Sequence, residues 1–391
     1  MNAPLLLDLS HTSHTRARTG VQRVSRSLWR ELGSTAVAVT HDPYEDAWRQ
    51  LDEWEKDNLL STETSSGRGA KWPILPMLRG RFRRLSGRPD PLAAFAGYGG
   101  LVVPEIFSAD VGAALPAIFA ASGGPRIAIF HDAIALQFPE FTPRSTVTRF
   151  PSYLQELLRF DGVAAVSEAS RSALLSYWKW LGVSKTPEVT AVTLGIDPAP
   201  TPTAVQTGPV PIVLCVATIE GRKNHMALLE ACEMLWSTGT VFQLRLVGLA
   251  NSETGSEAIS RISALRASGR NIRYNGALSD MDLETAYAEC TLTVYPSFSE
   301  GFGLPVAESL SRGKPCACRM DGALGEIARA GGCKDIGSAA ASEIASAIAG
   351  LLASPSELAE LGSAASGRRF KTWPQYASEL RQWMGTVNIL S

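Results

Sequence analysis

The chain has 391 residues, 45% of them hydrophobic, and a formal net charge of −1. That length can bury more than one core and favours two domains, while the near-neutral balance excludes the strongly basic domain that a nucleic-acid partner would require. No run approaches the length of a membrane-spanning helix, and Met1-Asn2-Ala3-Pro4 lacks the basic start and apolar stretch of a signal peptide, so a cytoplasmic protein is expected, with the inner face of the membrane also open to it. All six cysteines lie in the second half without paired CxxC motifs. They read as reduced, packed thiols, with Cys316 and Cys318 explained by alternation along a strand rather than by a metal.

Short apolar strands alternate with longer helical patterns almost throughout, as in parallel sheets covered on both faces. In the first half the expected strands are Leu5 to Leu9, Ala36 to Thr40, Leu101 to Val103, Ile127 to Phe130 and Val163 to Val166. From Gly67 to Pro89 there is no acidic residue, and seven basic residues interleave with Trp72, Ile74, Leu75, Met77, Leu78, Phe82 and Leu85. The segment Arg68 to Arg88 suits an anionic membrane surface or a phosphorylated lipid. A mobile basic loop is the other reading, because Pro73, Pro76 and Gly80 interrupt a long amphipathic helix. The strand at Ile127 ends in His131 and Asp132, and Ser167 after the next strand reads as a helix cap. The proline-rich stretch from Asp197 to Pro211 can form neither helix nor central strand and marks a hinge.

The second half repeats the scheme at Ile212 to Val216, Leu244 to Val247, Ile272 to Tyr274, Leu292 to Tyr295 and Cys316 to Arg319. Its first strand runs into Thr218-Ile219-Glu220-Gly221-Arg222-Lys223-Asn224, which delivers two adjacent cations just before a helix. The planar fork of Arg222 and the point charge of Lys223 suit a diphosphate whose charge grows as a bond to it breaks. The strand at Leu292 leads to Ser299-Glu300-Gly301-Phe302-Gly303-Leu304-Pro305-Val306-Ala307-Glu308. Here Glu300 sits in a glycine-rich loop and Glu308 in the first turn of a helix opened by Pro305, so the two grip different parts of one ligand. Gly301 and Gly303 allow close backbone approach, and the helix start favours an anion. Asp280-Met281-Asp282 follows Ser279 at a helix start and reads as capping rather than a metal motif.

These stretches resemble the nucleotide-binding half of the retaining glycosyltransferases of GT-B fold, specifically the GT4 family of bacterial polysaccharide and lipopolysaccharide enzymes. Residues 218–224 resemble its phosphate-binding loop and Glu300 to Glu308 its paired-glutamate signature. Gly276, Leu283, Tyr287, Pro296, Ser297 and Gly313-Lys314-Pro315 fall where the family pattern expects them. The resemblance implies an α/β fold of two doubly wound Rossmann-like domains facing each other across a cleft. The acceptor domain would span 1–205 and the nucleotide-sugar domain 206–372, with 373–391 a helix returning to the first domain. It implies Lys223 and Arg222 at the donor diphosphate, Glu300 with the backbone of Gly301, Phe302, Gly303 and Leu304 at the transferred sugar, and Glu308 on the ribose hydroxyls. His131 would position sugar and acceptor, and Gly20 would approach the donor phosphates, although Thr19 replaces the first glycine of the usual pair. Many members carry an Arg just after the strand before the Lys, where this chain has Ala217 and Thr218, leaving Arg222 as the second cation.

The reaction so implied moves a hexose, with retention, from a nucleotide-diphosphate sugar to a glycan or lipid-linked acceptor, with no cofactor and no metal. The form of residues 218–224 resembles that of members using GDP-mannose, which makes it the donor implied, with UDP- and dTDP-sugars as alternatives. A nucleotide-sugar epimerase or hydrolase and a catalytically silent binding subunit are the rival functions.

Overall fold

The structure is a computed structural model, and it describes residues 3–61, 69–86, 95–197 and 209–389. The chain groups into two compact units. Unit 1 comprises Met1–Asp132, Thr148–Gly195 and Trp373–Ser391, and unit 2 comprises Ala133–Val147 and Ile196–Thr372. Both are α/β, and each holds one largely parallel sheet. Most of the expected hinge, 198–208, and the boundary at 205 lie outside the described residues, as do Arg68 and Arg88 at the ends of the basic segment.

Unit 1 is built on seven strands: β1 Leu5–Asp8, β2 Ala36–Asp42, β3 Ala47–Gln50, β4 Leu101–Val103, β5 Arg126–Phe130, β6 Gly162–Ala165 and β7 Glu188–Ala191. Their order is β3-β2-β1-β4-β5-β6-β7. Among the described residues of this sheet only the β2–β3 pair is antiparallel. The central strands are continuous buried runs because helices cover both faces of a parallel sheet, as Leu5, Leu6 and Leu7 and then Ile127 to Phe130 illustrate. Helix Trp373–Met384 completes this unit. It packs on helix Gly20–Leu32 and buries Trp373 and Tyr376. A Cβ on Gly100 would lie 2.4 Å from the Met384 methyl and one on Gly162 2.9 Å from the Trp383 ring, so both glycines are where the sheet ends meet this helix.

Unit 2 has six parallel strands: β8 Ile212–Val216, β9 Gln243–Val247, β10 Ile272–Tyr274, β11 Leu292–Tyr295, β12 Cys316–Cys318 and β13 Cys333–Asp335. Their order is β10-β9-β8-β11-β12-β13. Lys314, fully buried ahead of β12, donates to the carbonyls of Ala288 (2.9 Å) and Cys290 (3.1 Å), and so ties off the end of helix Asp280–Glu289. Burial lowers its pKa.

The basic segment folds as one helix, Ile74–Leu85. Pro76 falls in its first turn, where a missing N–H costs nothing. Gly80 stands where the helix backbone meets the Tyr44–Glu45 turn, since a Cβ there would come within 2.9 Å of Tyr44 Cβ. The expected interruptions are thus an entry and a contact point. Among the described residues no single helix is long and apolar enough to cross a membrane.

Candidate active site

In both sheets the strand order reverses at one place, between β1 and β4 and between β8 and β11. Chain leaving the carboxyl ends of such a pair runs off in opposite directions, and the loops leave a crevice for ligands. In unit 2 the loops after β8 and β11 carry the two motifs singled out from the sequence.

After β8 a tight turn covers Gly221–Lys223, closed by Asn224 in the left-handed region at φ 56°. Asn224 tolerates that conformation and donates its side-chain amide to Ala339 O at 2.9 Å. Loop and strand end are joined by Phe298 N donating to Arg222 O at 2.9 Å. The turn delivers both cations to one carboxylate. Arg222 Nη1 lies 3.1 Å from Glu300 Oε2, while Arg222 Nε holds Glu220 Oε1 at 2.8 Å. Lys223 Nζ donates to Glu300 Oε1. Burial alone would raise the Glu300 pKa, but Lys223 and Arg222 pull it down to about 2, so the carboxylate stays ionised. Farther back, His225 is held neutral, its pKa lowered to about 4 by burial and by Lys223.

After β11 the chain bends through Gly301 and Phe302 to Gly303, whose φ of 101° caps helix Leu304–Ser311. Leu304 is buried as the first helical residue. Thr293 Oγ1 of β11 and Ser309 Oγ lie 2.6 Å apart and pin helix to strand. Glu308 is the fifth residue of the helix, one residue further in than the sequence suggested, and is only 7% exposed. Its carbonyl accepts from Arg312 at 2.8 Å. The structure therefore brings Arg222, Lys223 and Glu300 into direct contact, and sets Glu308 separately along the helix.

Beside Glu300 lies a cavity of about 360 Å3 lined by Phe138, Phe298, Ser299, Arg319 and Asp321 among others. The phenylalanines come from two distant stretches. Phe141 and Phe298 stack at 4.9 Å and 9°, and Phe138 joins at 6.4 Å. Gly221 has no side chain where Phe141 sits, since a Cβ would lie 2.9 Å from the ring. Arg319 directs Nη1 to Phe298 O at 3.4 Å and pairs with Asp321. Arg319, Phe138 and Phe298 were not singled out from the sequence. Arg319 carried a usable signal, a cation just past a buried strand.

In unit 1, His131 follows β5 and is buried, with Nε2 donating to Pro104 O at 2.7 Å. Burial lowers its pKa. The neutral ring with its proton on Nε2 leaves Nδ1 as the acceptor. Ser170 fixes the strand end by donating to His131 O at 2.8 Å. Gly20 is the first residue of helix Gly20–Leu32 after β1, with open space where a Cβ would stand. At the β1–β4 reversal Glu105 accepts from His11 N (2.7 Å) and Thr12 N (2.8 Å), and Asp8 accepts from Ser10. Burial and Glu105 raise the Asp8 pKa to about 7.

Asp282 belongs to a helix cap, its backbone N–H donating to Ser279 Oγ at 3.1 Å. Elsewhere, Cys316 and Cys318 on β12 and Cys333 on β13 bring their thiols within 4.8 Å of one another. That cluster contains none of the site's carboxylates.

Residues 205–368 match the family model described as "Glycosyl transferases group 1". The chain is 27% identical to the serotype-specific mannosyltransferase WbdA of Escherichia coli over 349 residues, 83% of this chain and 40% of that protein. It is 30% identical to the O-antigen chain mannosyltransferase B of Escherichia coli over 209 residues, 51% of this chain and 54% of that one. The chain thus spans about half or less of the length of these relatives. Among solved structures, sucrose-phosphate synthase from Thermosynechococcus elongatus superposes with a TM-score of 0.69 at 17% identity, covering 98% of both chains. HepE of Anabaena, in complex with UDP and glucose, gives 0.70 at 15% identity over 98% of this chain and 100% of that one. At such identities the likeness is one of fold.

Proposed function

We propose that this chain, whose residues 205–368 belong to the group 1 glycosyl transferases, moves a hexose from a nucleotide-diphosphate sugar to a glycan or lipid-linked acceptor in surface polysaccharide synthesis. The observation that carries the reading is the convergence of Arg222 and Lys223 on Glu300 at the strand-order reversal of the second sheet. Two cations held together by a buried carboxylate are ready to meet the diphosphate leaving group as its charge grows. Glu300 then serves the transferred sugar, with Gly301, Phe302, Gly303 and Leu304 offering backbone. Glu308 takes the ribose hydroxyls as a two-oxygen acceptor. Gly20 approaches the phosphates, and His131 positions the reacting hydroxyl through Nδ1.

The charge is met by side chains and a helix start, so the reaction needs no metal. Retention is taken from the resemblance to the retaining enzymes; with no side chain assigned as a nucleophile, it would proceed by attack on the face the leaving group departs from, the leaving phosphate taking the acceptor's proton. GDP-mannose is the donor put forward, supported by the names of the two Escherichia coli relatives. UDP- and dTDP-sugars, and a hydrolase or epimerase outcome, are the alternatives the assay separates. Thermal shift with GDP-mannose, UDP-glucose and dTDP-rhamnose, on the wild type and on Glu308→Ala, tests the donor site. GDP-mannose should stabilise the wild type and not the variant. Stabilisation by none of the three sinks the reading. Product NMR reports the anomer, and assays with added EDTA report metal need.

A second, independent observation favours contact with an anionic membrane at the cytoplasmic face. Helix Ile74–Leu85 exposes Ile74, Leu75, Leu78, Phe82 and Leu85, at 54–87% each. Its arginines are partly engaged inward, Arg83 with Glu45 at 3.2 Å and Arg84 with Asp46 at 3.0 Å. The apolar stripe therefore provides more of the attachment than the charge does. Flotation with phosphatidylethanolamine–phosphatidylglycerol vesicles should be lost on Leu78→Ser with Phe82→Ser. Equal flotation of the double variant removes the idea.

A further inference from the structure

A second cavity, of about 600 Å3, lies in unit 1 between the loop after β1, helix Glu53–Leu60 and residues 69–73. Its walls include Trp54, Trp72 and His14, with Arg16, Asp57 and Asn58. The rings form one assembly. His14 stacks on Trp72 at 4.0 Å and 21°, while Trp54 meets His14 edge-on at 5.3 Å and Trp72 at 5.9 Å.

A buried polar network holds these rings in place. His14 Nε2 lies 2.7 Å from Glu55 Oε1 and Nδ1 2.8 Å from Ser10 O, with His14 and Glu55 fully buried. Arg49 clamps Glu55 with two contacts of 2.8 Å and lies over the Trp72 ring at 5.7 Å. Asn58 donates to Ser13 O at 3.0 Å and accepts from Arg16 Nε at 3.3 Å. One polar atom is left over. Among the described residues, the buried Trp54 indole N–H has no acceptor, although a buried indole N–H ordinarily finds one.

The chemistry of this lining selects its ligand. Trp54 and Trp72 bring indole surface to the lining, with one face of Trp72 already covered by His14, while amide, carboxylate and guanidinium groups stand around them. No Leu, Ile, Val or Met lines the cavity among the described residues, which disfavours an acyl chain. Asp57 stands among the cations and disfavours a dedicated phosphate site. A pyranose ring has the matching form, a face of C–H groups with hydroxyls at its rim, and a cavity of this size takes more than one such ring. The loop that supplies His14 is also the one that leads into Gly20 and the β1–β4 reversal.

We infer that this cavity is a glycan subsite, in which the indoles of Trp54 and Trp72 stack against sugar rings of the acceptor remote from the hydroxyl that reacts. The inference rests on the transferase reading above and adds to it the recognition of an oligosaccharide rather than a single sugar. Remote sugar contacts then supply binding energy that positions the reacting end.

The test uses the full chain as wild type, Trp54→Ala, Trp54→Phe and Asp57→Ala, each confirmed folded by its melting curve. Binding of mannotriose, maltotriose, and rhamnose- and N-acetylglucosamine-containing trisaccharides is read by saturation-transfer NMR without any nucleotide. Acceptor KM is read against acceptor length at saturating donor. At least one trisaccharide should bind the wild type and be lost in Trp54→Ala. Acceptor KM should rise about tenfold or more for trisaccharides and little for a monosaccharide, with donor KM and donor hydrolysis unchanged. Trp54→Phe should recover part of the loss. The inference is overturned if the wild type binds none of the glycans, or if folded Trp54→Ala and Asp57→Ala bind them as the wild type does. A wild type that binds glycan and no nucleotide sugar would instead unseat the donor reading alone.

Discussion

Burying Lys223 with its charge intact requires a counter-charge, and Glu300 supplies it from 77 residues away in sequence. Removing one partner of such a pair leaves the other unpaired in a poor solvent, a loss on the order of 3 kcal/mol. Glu300→Gln should therefore lower the melting temperature at pH 7. Adding GDP should restore more stability in this variant than in wild type, because the diphosphate replaces the missing negative charge; equal shifts would contradict that role. The pH sign is fixed as well. Glu300 has its folded pKa depressed from 4.5 to about 2, so its contribution is complete above 4.5 and disappears as pH falls toward 2. Asp8 works the other way. Its folded pKa is raised from 3.8 to about 7, so the folded chain holds a proton that the unfolded chain releases, and stability declines between those values as pH rises. Asp8→Asn should gain stability over wild type at pH 8 and little at pH 4, read by urea unfolding. An equal difference at both pH values would mean Asp8 is not titrating in the fold.

At the scale of the element, Gly303 combines a φ of 101° with a close approach, since a Cβ there would lie 2.7 Å from a Leu324 methyl. Leu324 also lines the cavity beside Glu300. Gly303→Ala should cost roughly 1–2 kcal/mol from the backbone alone and should weaken nucleotide-sugar stabilisation measurably, because the wall must shift; unchanged binding would remove Gly303 from the donor loop. Ten of the strands were legible because parallel strands buried on both faces read as mainly apolar runs. The edge strands β3, β7 and β13 were not, since Arg49, Gln50, Glu188, Lys334 and Asp335 give them a polar look. Helix Ile74–Leu85 was obscured because Pro76 and Gly80 read as breakers without knowledge of the Tyr44 contact. In the site, residue types and strand-end positions of Arg222, Lys223 and Glu300 could be read directly. Their direct pairing could not, because it depends on β8 lying beside β11. The placement of Phe138 against Phe298 was likewise hidden, since residues 133–147 group with the second unit despite lying in the first half of the chain.

For the whole molecule, the division into units ignores chain order. The chain passes from one unit to the other after Asp132, Val147, Gly195 and Thr372. Unit 1 needs its last segment, because Trp373–Met384 fills the space at Gly100 and Gly162 and bonds Trp383 Nε1 to Glu188 at 2.8 Å. Ending the chain after Thr372 should therefore open unit 1 selectively. Limited proteolysis should cut first within residues 3–132 and 148–195, while peptides from 209–372 stay protected. Uniform cleavage, or none, would argue against that dependence.

The return of helix Trp373–Met384 also sets an order of events during synthesis. Unit 2 has all its residues once Thr372 has left the ribosome, whereas the seven-stranded sheet, translated before it, lacks one covering helix until Trp373–Met384 has been made. Between Gly195 and Trp373 that interval is roughly 10 to 40 s at ordinary elongation rates. Through it, the surfaces around Gly100, Gly162 and helix Gly20–Leu32 are exposed apolar area on a nascent chain. The unit whose sheet is translated first is thus the one whose apolar surface waits for its cover, while unit 2 has all its segments earlier.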